Sequence, residues 1–216
     1  PNNHKNIIFS FLGPQPEIEI HLELQSDPDW PYILTYHPTE IARQLTLLDF
    51  EYFRSVKPNE LVNCSWMNPK TKYEKSPNVM HMMEKFNNLT KYFQKILVDT
   101  ENLEERRTIF NRLLEIMVAL QDINNFNGMF AITSVMQSAS IHRLHKTKEG
   151  IRKELSHKLQ EVLSLKEKHD VKYMERLHQI QPPVVPYFGT YLGRLYMFEE
   201  GKPRFRSYTS ENTSDA

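Results

Sequence analysis

The chain has 216 residues, in which 27 Lys and Arg balance 27 Asp and Glu, and only six are glycine. The length suits one domain with a core of ordinary size, and the zero formal charge excludes a polybasic nucleic-acid binder, whose affinity comes from uncompensated cations. Scarce glycine, against roughly 7% in average usage, and the lack of any GxGxxG or GxxxxGKS/T run argue against the common phosphate-cradling nucleotide sites.

Cys64 is the sole cysteine, so an intrachain disulfide and a cysteine zinc cluster are both excluded, and a reducing compartment fits. No apolar run approaches the ~18–20 residues that span a bilayer. Asn63, Asn88 and Asn212 head N-x-S/T triplets, read as chance matches in an asparagine-rich chain. The chain opens on Pro1 instead of Met, which is expected of a piece of something longer.

Residues 1–36 read as irregular. Ile18 to Leu24 alternates with period two, a short strand or extended arm, and Pro28 and Pro31 around Trp30 oppose helix. From His37 the pattern turns helical. Pro38 suits a first turn, and Ile41, Leu45, Leu48 and Tyr52 follow at spacings of 4, 3 and 4 as one buried stripe. A short start lies at Lys57-Pro58, and a longer helix opens at Ser76-Pro77, with Met82, Phe86, Leu89, Phe93 and Ile96 as its stripe to about Val98. The strongest pattern runs from Glu101 to Ile123, with Ile109, Leu113, Ile116, Leu120 and Ile123 facing inward.

Asn124 to Gly128 interrupts that pattern, and a short apolar helix resumes from Gly128 to Gln137. Residues 148–168 read as one charge-rich surface helix with Leu155, Leu159, Val162 and Leu165 as its stripe. Gln181-Pro182-Pro183 breaks the chain, Tyr187 to Glu200 is a final amphipathic run, and the polar tail 207–216 is expected to be disordered. The fold class is therefore all-α, without internal repeats.

Few residues declare chemistry by themselves. His142 and His145 are three apart and could share a helix face, with His178 at a distance, but HExxH is absent and scattered surface histidines are the plainer reading. Cys64, beside Trp66, has no basic partner nearby and reads as a small buried residue. Glu104 and Glu105 suit a helix start, whereas Glu199 and Glu200 close a helix at the negative end of its dipole and need another reason, such as a cation or a basic pocket on a partner. Residues 187–198 carry aromatics on more than one helical face, more than one core contact can bury. A partner-binding face near 187–202 competes there with core packing.

Several blocks resemble the catalytic domain of the Ras guanine-nucleotide exchange factor family: His37-Pro38-Thr39-Glu40-Ile41-Ala42-Arg43-Gln44-Leu45-Thr46, Thr100 to Arg106, Asn124-Asn125-Phe126-Asn127-Gly128, and Pro182 to Gly189 with Glu199-Glu200-Gly201. The blocks occur in the family's order across about residues 5–206. The resemblance implies a helical bowl with a protruding helical hairpin, and a layout of arm (1–36), domain (37–206) and tail (207–216). It implies a Ras-family small GTPase as partner, preferred in its nucleotide-free state, and an exchange factor with no covalent chemistry, no cofactor and no metal. Neither nucleic acid nor membrane insertion is expected. The location implied is cytoplasmic, with recruitment to the plasma membrane through other parts of the parent protein.

By position, the resemblance makes Tyr187, Tyr196 and Glu200 the acting residues. It makes Trp66, Phe130, Glu84, Gly193, Met197, Lys202 and His169 GTPase contacts, and Asn125, Asn127 and Phe188 supports of the site. Three positions depart from a similar family member: Glu84 stands for an arginine, Asp170 for a tyrosine and Lys202 for an asparagine. The family's hairpin also has a returning helix of ~20 residues, ~30 Å long, whereas 15 residues follow Gly201 here. A GTPase-binding module without exchange activity is thus the alternative expectation, and a histidine metalloenzyme a remote one.

Overall fold

The computed structural model describes residues 32–201, so the alternating segment Ile18 to Leu24 and the polar tail lie outside the described residues. Within them the fold is all-α. Seven helices form it: α1 Pro38–Ser55, α2 Pro77–Asp99, α3 Leu103–Asp122, α4 Phe126–Gln137, α5 Lys153–Leu165, α6 Glu167–Gln179 and α7 Phe188–Gly201. Short helical turns at Tyr32–Thr35, Lys72–Lys75, Ala139–His142 and His145–Glu149 and a 3₁₀ segment, Pro58–Met67, link them.

The helix starts follow local chemistry. His37 Nδ1 accepts from the Thr39 N–H at 3.3 Å, with Pro38 in the first turn of α1. Asn102 caps α3, its Oδ1 accepting from the N–H groups of Glu104 at 2.9 Å and Glu105 at 3.1 Å. The start of α2 is served from outside: the Glu60 carboxylate accepts from the N–H groups of Asn78 and Val79 at 2.8 and 3.2 Å and from Asn78 Nδ2 at 2.6 Å. Burial alone would raise the Glu60 pKa. The hydrogen bonds from Asn78, Val79 and Lys57 outweigh it and hold the carboxyl below its usual range.

The centre of the domain is α3, packed on α1, α2, α4 and α5. Ile109, Leu113, Ile116 and Leu120 are fully buried along one stripe, and Phe110, Leu114 and Met117 along the next. Two adjacent stripes are what a helix shows when neighbours cover more than one of its sides. The turn Tyr32–Thr35 adds Ile33 and Leu34 to the same core, so packing begins ahead of His37.

Two expectations change. On α1 the core face is Ala42, Thr46 and Asp49, while Leu48 is exposed and Ile41, Leu45 and Tyr52 are only partly buried. The apolar stripe is offset because the true core face is small and polar. Asp49 and Thr46 meet the amides of the Asn124 to Gly128 block there. The single helix over 148–168 is instead three pieces, His145–Glu149, α5 and α6. Asn111 of α3 holds the first break open: its Nδ2 donates to the Gly150 carbonyl at 3.0 Å and its Oδ1 accepts from the Arg152 N–H at 3.0 Å.

Asp49 is fully buried. Its carboxylate accepts from Asn125 Nδ2 at 2.9 Å, Asn127 Nδ2 at 3.0 Å and the Lys85 amine, and Asn125 Nδ2 also reaches Thr46 Oγ1 at 3.0 Å. Asn125 caps α4 as well, its Oδ1 accepting from the Gly128 N–H at 2.9 Å. One carboxylate thus joins α1, α2 and the start of α4. Asp49→Ala leaves a cation and two amides without their acceptor, and a loss of ~3–5 kcal/mol is expected in equilibrium urea unfolding; a loss below ~1 kcal/mol would show the network to be dispensable. Glu60 adds a pH dependence. Because its folded pKa is lowered, its contribution is complete above the ordinary value of 4.5 and is lost as pH falls through the lowered folded value. Glu60→Gln is expected to flatten the acid limb of stability against pH in that window, read by urea unfolding at successive pH values.

Candidate functional site

The segment leading into α7 is pinned before the helix begins. The Phe126 N–H donates to the Val185 carbonyl at 2.9 Å and the Val185 N–H to the Asn124 carbonyl at 3.0 Å, a short parallel bridge. Asn124 takes a left-handed φ of 56° at this point. The Tyr187 N–H donates to the Tyr173 hydroxyl at 2.7 Å, and Asn127 Oδ1 accepts from the Phe188 N–H at 3.5 Å. The Asp49 network therefore reaches the first residue of α7.

From there α7 lies on a second, smaller apolar cluster. Phe188, Leu192 and Leu195, at i, i+4 and i+7, face Cys64, Trp66, Val79, Met80 and Met82, with Phe53 edge-on to Phe188 at 6.2 Å. Cys64 belongs to this cluster as a buried small residue, as its surroundings in the sequence suggest. Asn63 and Cys64 both have left-handed φ (54° and 50°), a sharp reversal within the 3₁₀ segment two residues before Trp66.

The rest of α7 stands clear. Tyr196 and Met197 are 42% and 67% exposed, Glu200 and Gly193 are exposed, and a Cβ on Gly193 would meet nothing within 4 Å. Gly193, Tyr196, Met197 and Glu200 recur at i, i+3, i+4 and i+7, so they form one stripe ~10 Å long. Tyr191 and Phe198 are exposed on a different side. The aromatics of this segment thus divide between a seam and open faces, which resolves why one core contact cannot bury them all. Gly201 is still helical, so Glu200 is described within α7.

Tyr187 stands at the foot of the stripe. Its ring packs on Phe130 at 5.1 Å and Phe86 at 5.7 Å, and Tyr173 lies edge-on to Phe126 and Phe130. The Lys166 amine sits 4.6 Å from the Phe130 ring centre and 4.7 Å from that of Tyr187. Burial pulls the Lys166 pKa down against the opposing pull of the Asp170 charge, and burial pushes both Tyr173 and Tyr187 up. A cleft of about 160 Å³ opens beside Tyr187, lined by Met82, Met83, Phe86, Asn127, Gly189 and Leu192 among others.

The remaining expected site residues scatter. Trp66 is 4% exposed beneath α7 and Phe130 is fully buried under Tyr187, so neither offers surface here. The Tyr73 hydroxyl donates a hydrogen bond to the Glu84 carboxylate on α2, and that bond and the carboxylate's charge push the Tyr73 pKa up. His169 falls in α6 with its side chain outside the described residues, as is Lys202 entirely. His142 and His145 belong to separate short helices, rings 6.2 Å apart, and among the described residues no group of three His, Cys, Asp or Glu could hold a metal ion. Asp49, Lys166 and Tyr173 were not singled out from the sequence. Only Asp49 had a signal there, a charge in register with Ala42 on an otherwise amphipathic helix.

The fold and site define an all-helical domain that presents one exposed helix stripe beside an apolar cleft. The RasGEF domain family model matches residues 40–214. Protein son of sevenless of Drosophila melanogaster is 41% identical over 201 residues, 93% of this chain and 12% of that protein. The Son of sevenless homolog of Caenorhabditis elegans is 36% identical over 86% of this chain and 12% of its own length, and Ras guanine nucleotide exchange factor J of Dictyostelium discoideum 35% over 91% and 24%. The chain belongs to the RasGEF domain family, and it spans about an eighth of the length of its fly and worm relatives.

Two of the α7 glycines separate packing from exposure. A Cβ at Gly189 would stand 2.6 Å from Tyr187 Cζ, whereas one at Gly193 stands in open space. Gly189→Ala is expected to lower stability by ~1–3 kcal/mol. Gly193→Ala should raise it by ~0.5–1 kcal/mol through helix propensity, both read by urea unfolding.

Proposed function

We propose that the chain accelerates the release of guanine nucleotide from a Ras-family small GTPase, making and breaking no covalent bond. The observation that carries this reading is the exposed stripe of Gly193, Tyr196, Met197 and Glu200 on a helix whose foot is fixed by Tyr187 and the Asn127–Phe188 tie. A free helix face of this kind is a wedge. It offers one carboxylate among apolar groups, and the neighbouring cleft offers a seat for an apolar side chain of the partner. Family membership and the named exchange factors among the relatives support the reading.

The physics of such a factor is linkage. It binds the nucleotide-free GTPase more tightly than the loaded one, and by reciprocity it weakens nucleotide affinity by the same factor. In this reading Tyr196 and Met197 supply apolar contact to the opened site. Glu200 brings negative charge toward the region that otherwise holds the nucleotide phosphates and their magnesium. Tyr187 fixes the wedge at its base, and Asn125, Asn127 and Phe188 support it. Trp66 and Phe130, being buried, act from beneath, and Glu84 offers an acidic contact on α2. His169 and Lys202 extend the contact surface. No helix among the described residues is long and apolar enough to cross a membrane. With a Ras-family GTPase as partner, the reading assigns the chain to the cytoplasmic side, with attachment supplied by other parts of its parent.

The direct test loads Ras with a fluorescent GDP, adds excess unlabelled GTP and follows release with and without this chain. Accelerated release is expected, and release at the intrinsic rate would reduce the function to GTPase binding. Glu200→Ala is expected to slow the accelerated release about tenfold, ~1.4 kcal/mol of transition-state stabilisation, with an unchanged urea midpoint. Unaltered kinetics in the folded variant would remove Glu200 from the assigned role.

A further inference from the structure

The apolar seam alone does not fix the tilt of α7. Apolar contacts are non-directional, and Phe188, Leu192 and Leu195 all lie on one side of the helix. Thr190 lies roughly opposite them, since two residues on from Phe188 is ~200° around the axis. Thr190 is 6% exposed, and its Oγ1 donates to Asp170 Oδ2 at 2.8 Å. Asp170 approaches from the first turn of α6 in a left-handed backbone conformation, φ 62°, which L-residues adopt only at a cost of ~1–2 kcal/mol. The half-buried Lys166 lies one turn back from Asp170, with its amine over the rings of Phe130 and Tyr187.

We propose that Lys166, Asp170 and Thr190 form a latch that sets the tilt of α7, which makes them positioning residues for nucleotide release. The latch clamps the first turn of α7 from the side that the seam leaves open. Asp170 holds the helix backbone through Thr190, and Lys166 holds the Tyr187 ring from which the helix departs. The amine is the hub of the arrangement. It carries the charge opposite to that of Asp170, one turn on, and it lies over the faces of both rings. A small change at this point is enlarged along the helix: a 10° tilt at the foot moves the far end of a 14-residue helix, ~21 Å long, by about 4 Å. Part of this inference, the effect on release, rests on the exchange reading above; the geometry of the latch does not.

The test uses the whole chain with Cys64→Ser, spin labels at Arg194→Cys on α7 and Lys153→Cys on α5, and pulsed distance measurement. Lys166→Met keeps the aliphatic stem and removes the charge; Thr190→Val keeps the shape and removes the donor. Each is expected to shift or broaden the label distance by about 3 Å or more without moving the urea midpoint beyond that of the labelled parent. Lys166→Arg should restore the parent distribution. In the nucleotide-release assay both variants are expected to lower the maximal rate three- to tenfold while leaving the half-saturating concentration unchanged, and the double variant should lose no more than the worse single one. Distances equal to the parent's in both single variants would overturn the latch whatever the exchange result. An unlatched α7 with wild-type maximal rates would overturn the link to release, and a parent chain inactive on Ras would count against the exchange reading alone.

Discussion

A fully buried carboxylate is the constraint on which this domain is built. Asp49 is fully buried and would be costly as a lone charge. Its cost is offset only because two separate parts of the chain bring three donors to it: the Lys85 amine from α2, and Asn125 and Asn127 from the cap and first turn of α4. The arrangement is tight at Gly128, where a Cβ would lie 3.2 Å from Asp49 Oδ2 and 3.1 Å from Asn125 Nδ2. Directional bonds of this kind set a register that apolar packing among α1, α2 and α4 would leave loose.

The same network sets the place where the functional helix leaves the body. The amides that satisfy Asp49, those of Asn125 and Asn127, belong to a block that also binds the 185–188 segment: Asn124 through its carbonyl, Phe126 through its N–H and Asn127 through its side-chain oxygen. The position of α7 is thus inherited from the interior and handed over at Phe188. Its far half then does without burial, and apolar side chains such as Met197 remain in water. Among the described residues this helix leaves apolar groups exposed on two faces, as helices that meet a partner do.

Much of this was legible in the sequence, for reasons that differ by element. The pattern of α3 is readable because its buried faces are apolar throughout, so period and burial coincide from Ile109 to Leu120. The face of α1 was not, because its core residues are Ala42, Thr46 and Asp49. Hydrophobic periodicity finds Leu48, which lies in solvent, and passes over the carboxylate that matters. The split between α5 and its neighbours depends on Asn111, 39 residues away from Gly150, and no local pattern encodes so distant a hydrogen bond. At the site, the exposed stripe could be guessed from an excess of aromatics and a carboxylate pair with no helical reason. The burial of Trp66 and Phe130 and the presence of Lys166 over two rings are tertiary facts, set by how α6 and the 3₁₀ segment close around α7.

The small cluster beneath α7 has a further meaning for the way the domain comes apart. Cys64, Trp66, Phe188 and Leu192 share no buried member with the main core, and α2 alone contributes buried residues to both, Val79, Met80 and Met82 to one and Phe93 and Leu97 to the other. A region with its own modest core is a cooperative unit of lower stability than the whole. The domain therefore has a hard end around α3 and a soft end around α7. Under mild heat or denaturant the amides of the 3₁₀ segment and α7 would exchange with solvent while those of α3 stayed protected. Competence would fade before helicity did, and the two would be measured as separate transitions of one chain.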